Sequence, residues 1–261
     1  MCGHDVPLNP ETSKESRGGL MGRSPLAPLV DVFFPAQCLS GEKMHTPGQD
    51  VLCDLCRSAI DPVKSPLCLR CGRPFFTPGD EDHLCGACIN NPPRFDAARA
   101  LGAYGGVLLE LIHLFKYHHR AHLHGILVEL LIENECAGFL PGDFDVIVPV
   151  PLHRKRLYER GYNQSLLLAR GIERAWGIPI NDRDFVRKRW TEPQIKLSFK
   201  ERALNVEGAF AIKGDVFSGR RVFLVDDVFT TGATASECAG ALKSAGASHV
   251  GVLTIARVVI K

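Results

Sequence analysis

From Phe95 onward the apolar residues fall into short β-branched runs that alternate with segments whose apolar positions lie three and four apart, whereas residues 29 to 94 show little periodicity of either kind. Ala97 to Tyr104 reads as a strand, Leu108 to His118 and Leu123 to Glu135 as helices, and Asp145 to Val150 (DVIVPV) as a strand of the buried type. A helix from about Gln164 to Trp176 is stopped by Gly177, with Pro179 just beyond. After a polar segment, Arg183 to Ala209, come a strand Arg221 to Val225, a helix Ala235 to Ala245 ended by Gly246, and a last strand Val250 to Ala256. Strand, helix, strand alternation predicts an α/β fold whose sheet is mainly parallel and flanked by helices.

The chain before Phe95 divides further. Residues 1 to about 28 contain no apolar signal core and are rich in Asn, Pro, Ser and Gly, the composition of a disordered tail. Residues 29 to 94 are rich in Cys, Pro and Gly, which calls for a metal to hold them, and Asn90-Asn91-Pro92-Pro93 marks the boundary to the domain spanning 95 to 261. The longest apolar stretch, Gly105 to Leu114 with Leu127 to Ile132 beyond it, is broken by His113, Lys116 and a run of histidines and falls short of the ~20 residues that span a bilayer. No membrane insertion is expected, and a cytoplasmic location fits the missing export signal.

Ten cysteines would suggest disulfides in a small secreted protein, but seven lie between Cys38 and Cys88, and six of these form CxxC pairs. Cys68-x2-Cys71, thirteen intervening residues, then Cys85-x2-Cys88 is zinc-ribbon spacing, because each CxxC turn offers two thiolates to one ion and four complete a tetrahedral Zn²⁺ shell. Cys53 and Cys56 belong to a second, upstream ribbon with Cys38 as third ligand. Gly41 stands where a CxxC beginning at Cys38 would have its second cysteine. Either His45 closes a Cys3His shell, or this site has lost its fourth ligand. Cys136 and Cys238 fall on helical faces, as small buried apolar residues do.

The formal net charge of +2 is unevenly spread: residues 153 to 202 hold thirteen Lys or Arg against six Asp or Glu, so +7 in that stretch leaves −5 elsewhere. A field of that sign suits phosphates, although a charge run is also an ordinary solvated face.

Val222 to Thr234, VFLVDDVFTTGAT, carries the most specific chemistry. An apolar strand ends in Asp226 and Asp227, a loop holds Thr230, Thr231, Gly232 and Ala233, and a helix begins. At the carboxyl edge of a parallel sheet, unpaired N–H groups of the helix start and a glycine that admits close approach form a cradle for a monophosphate. The threonine hydroxyls, Thr234 included, add donors. The two carboxylates suit the hydroxyls of an attached ribose. Thr234 and Glu237 also spell a capping box, which would make Thr234 merely a helix cap.

This segment resembles the phosphoribosyl-diphosphate (PRPP) signature of type I phosphoribosyltransferases. The whole chain from about Val32 to Arg257 looks like the ComF family, also called ComFC, associated with competence for DNA uptake: FFPAQC, the CxxC pairs, CGRP, FKY, VPVPLHRKRLYERGYNQS, QIKLSFKERALNVEGAF and VDDVFTTGAT occur in the family's order. Gly41 departs from the family pattern, which normally has a cysteine there. The resemblance implies a type I phosphoribosyltransferase fold behind a double zinc ribbon. It places the pyrophosphate loop at His153 to Arg156, with Arg154 and Lys155 holding the diphosphate together with Mg²⁺. It likens Arg187 to Ala209 to a flexible catalytic loop, and makes Asp226 and Asp227 the stabilisers of a ribosyl cation. Lys116 to His119 read as a basic helix end. Two functions are therefore expected: transfer of phosphoribosyl from PRPP to an unidentified acceptor, or non-catalytic binding of PRPP, a nucleoside phosphate or single-stranded DNA alongside proteins of DNA uptake. Turnover of PRPP separates the first from the second; salt-dependent DNA binding without turnover marks the second.

Overall fold

The computed structural model describes residues 52–76, 81–117, 120–190 and 205–259. Cys38, His45, the amino-terminal tail and residues 191 to 204 of the expected catalytic loop lie outside the described residues. In chain order the elements are α1 (Asp54–Ser58), α2 (Gly86–Asn90), β1 (Ala97–Ala103), α3 (Gly106–Tyr117), α4 (His124–Glu133), β2 (Val146–Pro149), α5 (Arg154–Arg160), α6 (Gln164–Trp176), β3 (Phe185–Arg187), β4 (Phe210–Ile212), β5 (Arg221–Phe229), α7 (Ala233–Ser244) and β6 (His249–Arg257).

Period-two alternation explains how the long strands organise two cores. Phe223 and Val225 of β5 turn to one face with Leu253 and Ile255 of β6, where α3, α4 and α6 cover them. Val222 and Leu224 turn to the other face with Val250 and Val252, beneath α7 and the β3–β4 pair. All four strands of the main sheet run parallel, in the order β1-β6-β5-β2. Phe223 is enclosed by Phe144, Trp176 and Phe139, with ring centroids 4.4, 5.3 and 5.3 Å away. Replacing such a ring by alanine costs ~3–5 kcal/mol. The α/β class and the parallel sheet expected from periodicity are both present, and α6 ends as expected, with Gly177 N–H donating to Glu173 O at 2.7 Å.

The cysteine-rich segment is fastened along the free side of β1. Val63 N–H donates to Leu101 O (3.1 Å), Ala103 N–H to Asp61 O (2.9 Å) and Ala98 N–H to Arg70 O (2.7 Å). Gly72, at φ +68°, lies so close that a Cβ there would meet Ala98 O at 2.3 Å. From the sheet side the buried Arg257 donates through Nη1 to Cys71 O at 2.5 Å, and its guanidinium carbon sits 5.2 Å from the centre of the Phe229 ring.

Three expectations need correction. The strand expected to stop at Val225 continues to Phe229, because β6 goes on pairing with it, Asp226 opposite Thr254 and Val228 opposite Ala256. Only the β2 side ends, at Pro149 opposite Val225. The basic stretch expected as a loop, His153 to Arg156, instead caps and opens the helix α5, with His153 Nδ1 accepting from Lys155 N–H at 3.3 Å. The polar segment contains β3, whose Arg187 pairs antiparallel with Phe210.

Candidate functional site

β2 ends four residues before β5 does, so the last part of β5 has an open side, and there the two aspartates sit. Strand alternation sends them to opposite faces. Asp227 points toward α3, where Lys116 Nζ meets its Oδ1 at 2.8 Å; both side chains are largely buried. Asp226 Oδ1 accepts from Ser165 Oγ at 3.0 Å and from Asp227 N–H at 2.9 Å. Ser165 stands at the start of α6, which Asn163 caps by accepting from Ser165 N–H at 3.1 Å while its amide donates to Val150 O.

Burial pushes the Asp226 carboxyl up, the charge of Asp227 adds to this, and the Asp227 N–H, Lys116 and Ser165 pull only partly back, leaving it at about 7. One carboxyl of the pair is therefore poised near neutrality. Further cations gather round the pair. Burial works against the charge of both Arg156 and Arg187; Arg156 also feels Arg160 and Asp227, and Arg187 feels Arg156 and Asp226.

The turn after β5 is held by Gly232, the N-cap of α7, at φ +78°. A Cβ there would meet Phe229 Cζ at 2.6 Å, so any other residue would displace the ring or the turn. Thr231 Oγ1 accepts from Ala233 N–H at 3.3 Å, and Ser236 N–H bonds Gly232 O at 2.8 Å. The capping-box reading of Thr234 fails: Glu237 instead accepts from Gly208 N–H at 2.7 Å and pairs with Arg94 at 3.0 Å. The turn is thus shaped by backbone and aromatic packing, and it follows directly on the end of β5 that carries the aspartates.

Of the residues singled out from sequence, Asp226, Asp227 and Thr230 to Thr234 lie together. Arg154 and Lys155 do not join them directly. Arg154 lines a neighbouring cleft, and Lys155 Nζ stands 4.7 Å from the centre of the Trp190 ring. Sequence reasoning missed Ser165, read Lys116 only as part of a basic helix end, and gave Arg156 to the diphosphate side and not to the aspartates. Lys116 carried a signal, a lone lysine directly after Phe115, which is fully buried. Ser165 carried none beyond its place at a helix start. The triplet Arg187-Lys188-Arg189 is divided: Arg187 is half-buried, its guanidinium carbon 5.4 Å from the centre of the Phe210 ring, whereas Arg189 donates to Asn205 O and Glu207 O.

The sulfur atoms of Cys68, Cys71, Cys85 and Cys88 all lie within 4.8 Å of one another, and Cys71 and Cys85 are 3.8 Å apart. Zn–S bonds of ~2.3 Å in a tetrahedron put sulfurs ~3.8 Å apart, so this set fits zinc. Burial opposes a charged Cys68, but N–H groups of Cys85, Cys71 and Arg70 outweigh it and bring the thiol down to about 6. Burial and the neighbouring thiolates push Cys71 and Cys88 up. Four thiolates so close need a cation between them, and a full shell leaves no open position for catalysis. In the upstream pair, Cys56 N–H donates to Cys53 Sγ at 3.4 Å. Its remaining expected ligands, Cys38 and His45, are outside the described residues.

Comparison with known proteins agrees with this organisation. Residues 29–89 match the double zinc ribbon domain. The chain is 34% identical over 213 residues to the DNA utilization protein YhgH of Escherichia coli K12, covering 79% of this chain and 90% of that one. It is 29% identical to competence protein ComFC of Bacillus subtilis, over 79% and 84% of the two chains. Among solved structures it is similar to the allosteric regulatory enzyme of purine biosynthesis (26% identity, 52% of this chain and 25% of that one, TM-score 0.35) and to a purine phosphoribosyltransferase from Pyrococcus horikoshii (21%, 54% and 75%, TM-score 0.31). With Competence protein F of Haemophilus influenzae it shares 32% identity over 233 residues, 86% of this chain and 98% of the relative, and so the chain belongs to the competence protein F and ComFC family.

Proposed function

We propose that the open end of β5 and the start of α7 bind PRPP, and that the protein transfers its phosphoribosyl group to a nitrogen acceptor. The observation that carries the reading is the juxtaposition of two adjacent carboxylates, one poised near neutrality and one held by Lys116, with a helix start opened by Gly232. The helix start offers N–H groups to the 5′-phosphate. The carboxylates accept hydrogen bonds from the ribose hydroxyls and favour positive charge on the sugar as the C1–oxygen bond lengthens. The acceptor's nitrogen lone pair forms the new bond to C1, and diphosphate leaves with the electron pair of the broken bond. Any proton carried by that nitrogen passes to solvent.

Magnesium would come with the substrate and neutralise the diphosphate. Among the described residues only the four cysteines gather as a metal-ligand set, and Asp227 is already engaged by Lys116. The chain's own part is therefore to hold phosphate and ribose and to keep Asp226 and Asp227 in register. Arg154 and Lys155, in the first turn of α5, would assist the magnesium in holding the diphosphate.

Calorimetry with Mg²⁺·PRPP tests the reading. Thr231→Val or Gly232→Val should weaken binding about ten- to a hundredfold, a cost of ~1.5–3 kcal/mol for a lost charge-assisted contact. Asp227→Asn should lower diphosphate release more than it lowers affinity. Wild-type protein with no saturable Mg²⁺·PRPP binding would overturn the assignment.

A second reading, single-stranded DNA binding in the cytoplasm beside DNA-uptake proteins, is supported by Trp190. Its ring lies under Lys155 and 5.4 Å from the Arg156 guanidinium carbon, an aromatic set among cations as in stacking platforms. Affinity for an oligonucleotide should then fall steeply with salt, and Trp190→Ala should weaken it without changing PRPP binding.

A further inference from the structure

Beside the aspartates, on the β2 side of the sheet, a cleft of about 770 Å³ opens between α5–α6 and the β3–β4 pair. It lies within the size range of pockets that enclose whole drug-sized ligands. Five cationic side chains line it, Arg154, Arg170, Arg187, Lys188 and Lys213, against one carboxylate, Asp182. That carboxylate is spent on Arg170, 3.9 Å away. The remaining lining is largely apolar, with Leu166, Phe185 and Val186 among it.

The cleft communicates with the reaction centre through short links. Asn163 lines it and caps the helix whose Ser165 holds Asp226, and Arg187 extends from its wall to the neighbourhood of the same carboxylate. Arg154 is at the side assigned to diphosphate, but Arg170, Lys188 and Lys213 lie on segments that the phosphate turn and the aspartates do not use. Arg154, Lys188 and Lys213 are solvent-exposed where they line the cleft, so their field favours an anion over a neutral base at its mouth, and the volume exceeds what a base alone would fill.

Resting on the phosphoribosyl-transfer reading, we propose that this cleft is the acceptor site and that the acceptor is itself an anion: a flat or apolar body with the attacking nitrogen toward Asp226 and a phosphate or carboxylate toward Lys188 and Lys213. Recognition is by charge at one end and apolar contact at the other. The reaction balances as above, with one C1–N bond made, one C1–O bond broken, and the nitrogen's proton lost to solvent. The acidic group of the acceptor is not consumed.

The test uses the full-length zinc-loaded protein and competition calorimetry. Adenosine monophosphate against adenosine, and orotate against uracil, separate a phosphate-bearing from a carboxylate-bearing acceptor and each from its neutral counterpart. At least one anion should bind roughly tenfold or more tightly than its neutral partner, equivalent to ~1.4 kcal/mol. Lys213→Glu should abolish that preference while Mg²⁺·PRPP affinity stays within about twofold; Lys213→Ala, a smaller change, should show part of the same loss. Anions bound no better than neutral partners, no binding of any of these probes, or a preference that survives both substitutions would overturn the cleft assignment. Loss of Mg²⁺·PRPP binding in the wild type would instead strike the underlying reading, so the two failures are distinct.

Discussion

Asp226 makes folding stability depend on pH in a direction opposite to that of most carboxylates. An unfolded aspartate titrates near 3.9, and in the fold this one is raised to about 7. Below pH ~4 both states are protonated and the residue costs nothing. As pH rises from ~4 toward 7 the unfolded state releases its proton while the folded state keeps it, so stability falls; above 7 the penalty is complete and constant. Between pH 6 and 8 the expected loss is on the order of 1 kcal/mol, because the folded carboxyl ionises within that window while the unfolded one is already ionised. Asp226→Asn removes this dependence, keeps an acceptor for Ser165, and should stabilise the protein at pH 8. The assay is urea denaturation of both proteins, zinc-loaded, at half-unit steps from pH 6 to 8. Taking the difference between them cancels the other titrating groups. A difference that shows no trend with pH would mean that Asp226 is ionised throughout and that its burial does not outweigh Lys116 and Ser165.

Lys116→Met should cost ~2 kcal/mol by leaving Asp227 facing a largely buried site without its cation, and should move the Asp226 transition to still higher pH; equal stability and an unmoved transition would count against the pair. Metal analysis of the wild type should find at least one zinc per chain, and Cys71→Ser should lose the metal held by Cys68, Cys71, Cys85 and Cys88 and lower the melting temperature; a folded, metal-free ribbon would refute the site.

The strands and helices around the sheet were legible because their periodicity and end signals agree. In α6 the apolar spacing, Asn163 before it and Gly177 after it all point to the same thirteen residues, and the structure has them. β5 was read too short because a carboxylate looks like the end of an apolar run, whereas the strand length is set by β6, a partner almost thirty residues away. For the same reason the sequence reading did not foresee that Asp227 turns to Lys116, which the pleat reveals. α5 was hidden by its charge: it buries no residue fully, so no apolar stripe marks it, and its helical state rests on the His153 cap and good helix formers. The turn after β5 and the helix that follows it were readable from residues alone because glycine geometry there is local. The Ser165–Asp226 bond joins residues 61 apart in sequence and leaves no local trace.

The seating of the cysteine-rich segment on β1 has a consequence for solubility. A parallel sheet ends in strands whose outward N–H and C=O groups invite pairing with other chains. The β2 side is closed by the stretch before β3, where Ile147 N–H bonds Pro179 O and Asn181 N–H bonds Ile147 O. The β1 side is closed by residues 61 to 70, a segment adjoining the Cys68–Cys71 turn of the four-thiolate site. Metal loss would loosen that cover and bare Ala98, Leu101 and Ala103 on an edge rich in small apolar residues. Zinc starvation would then show itself first as self-association of an otherwise folded sheet.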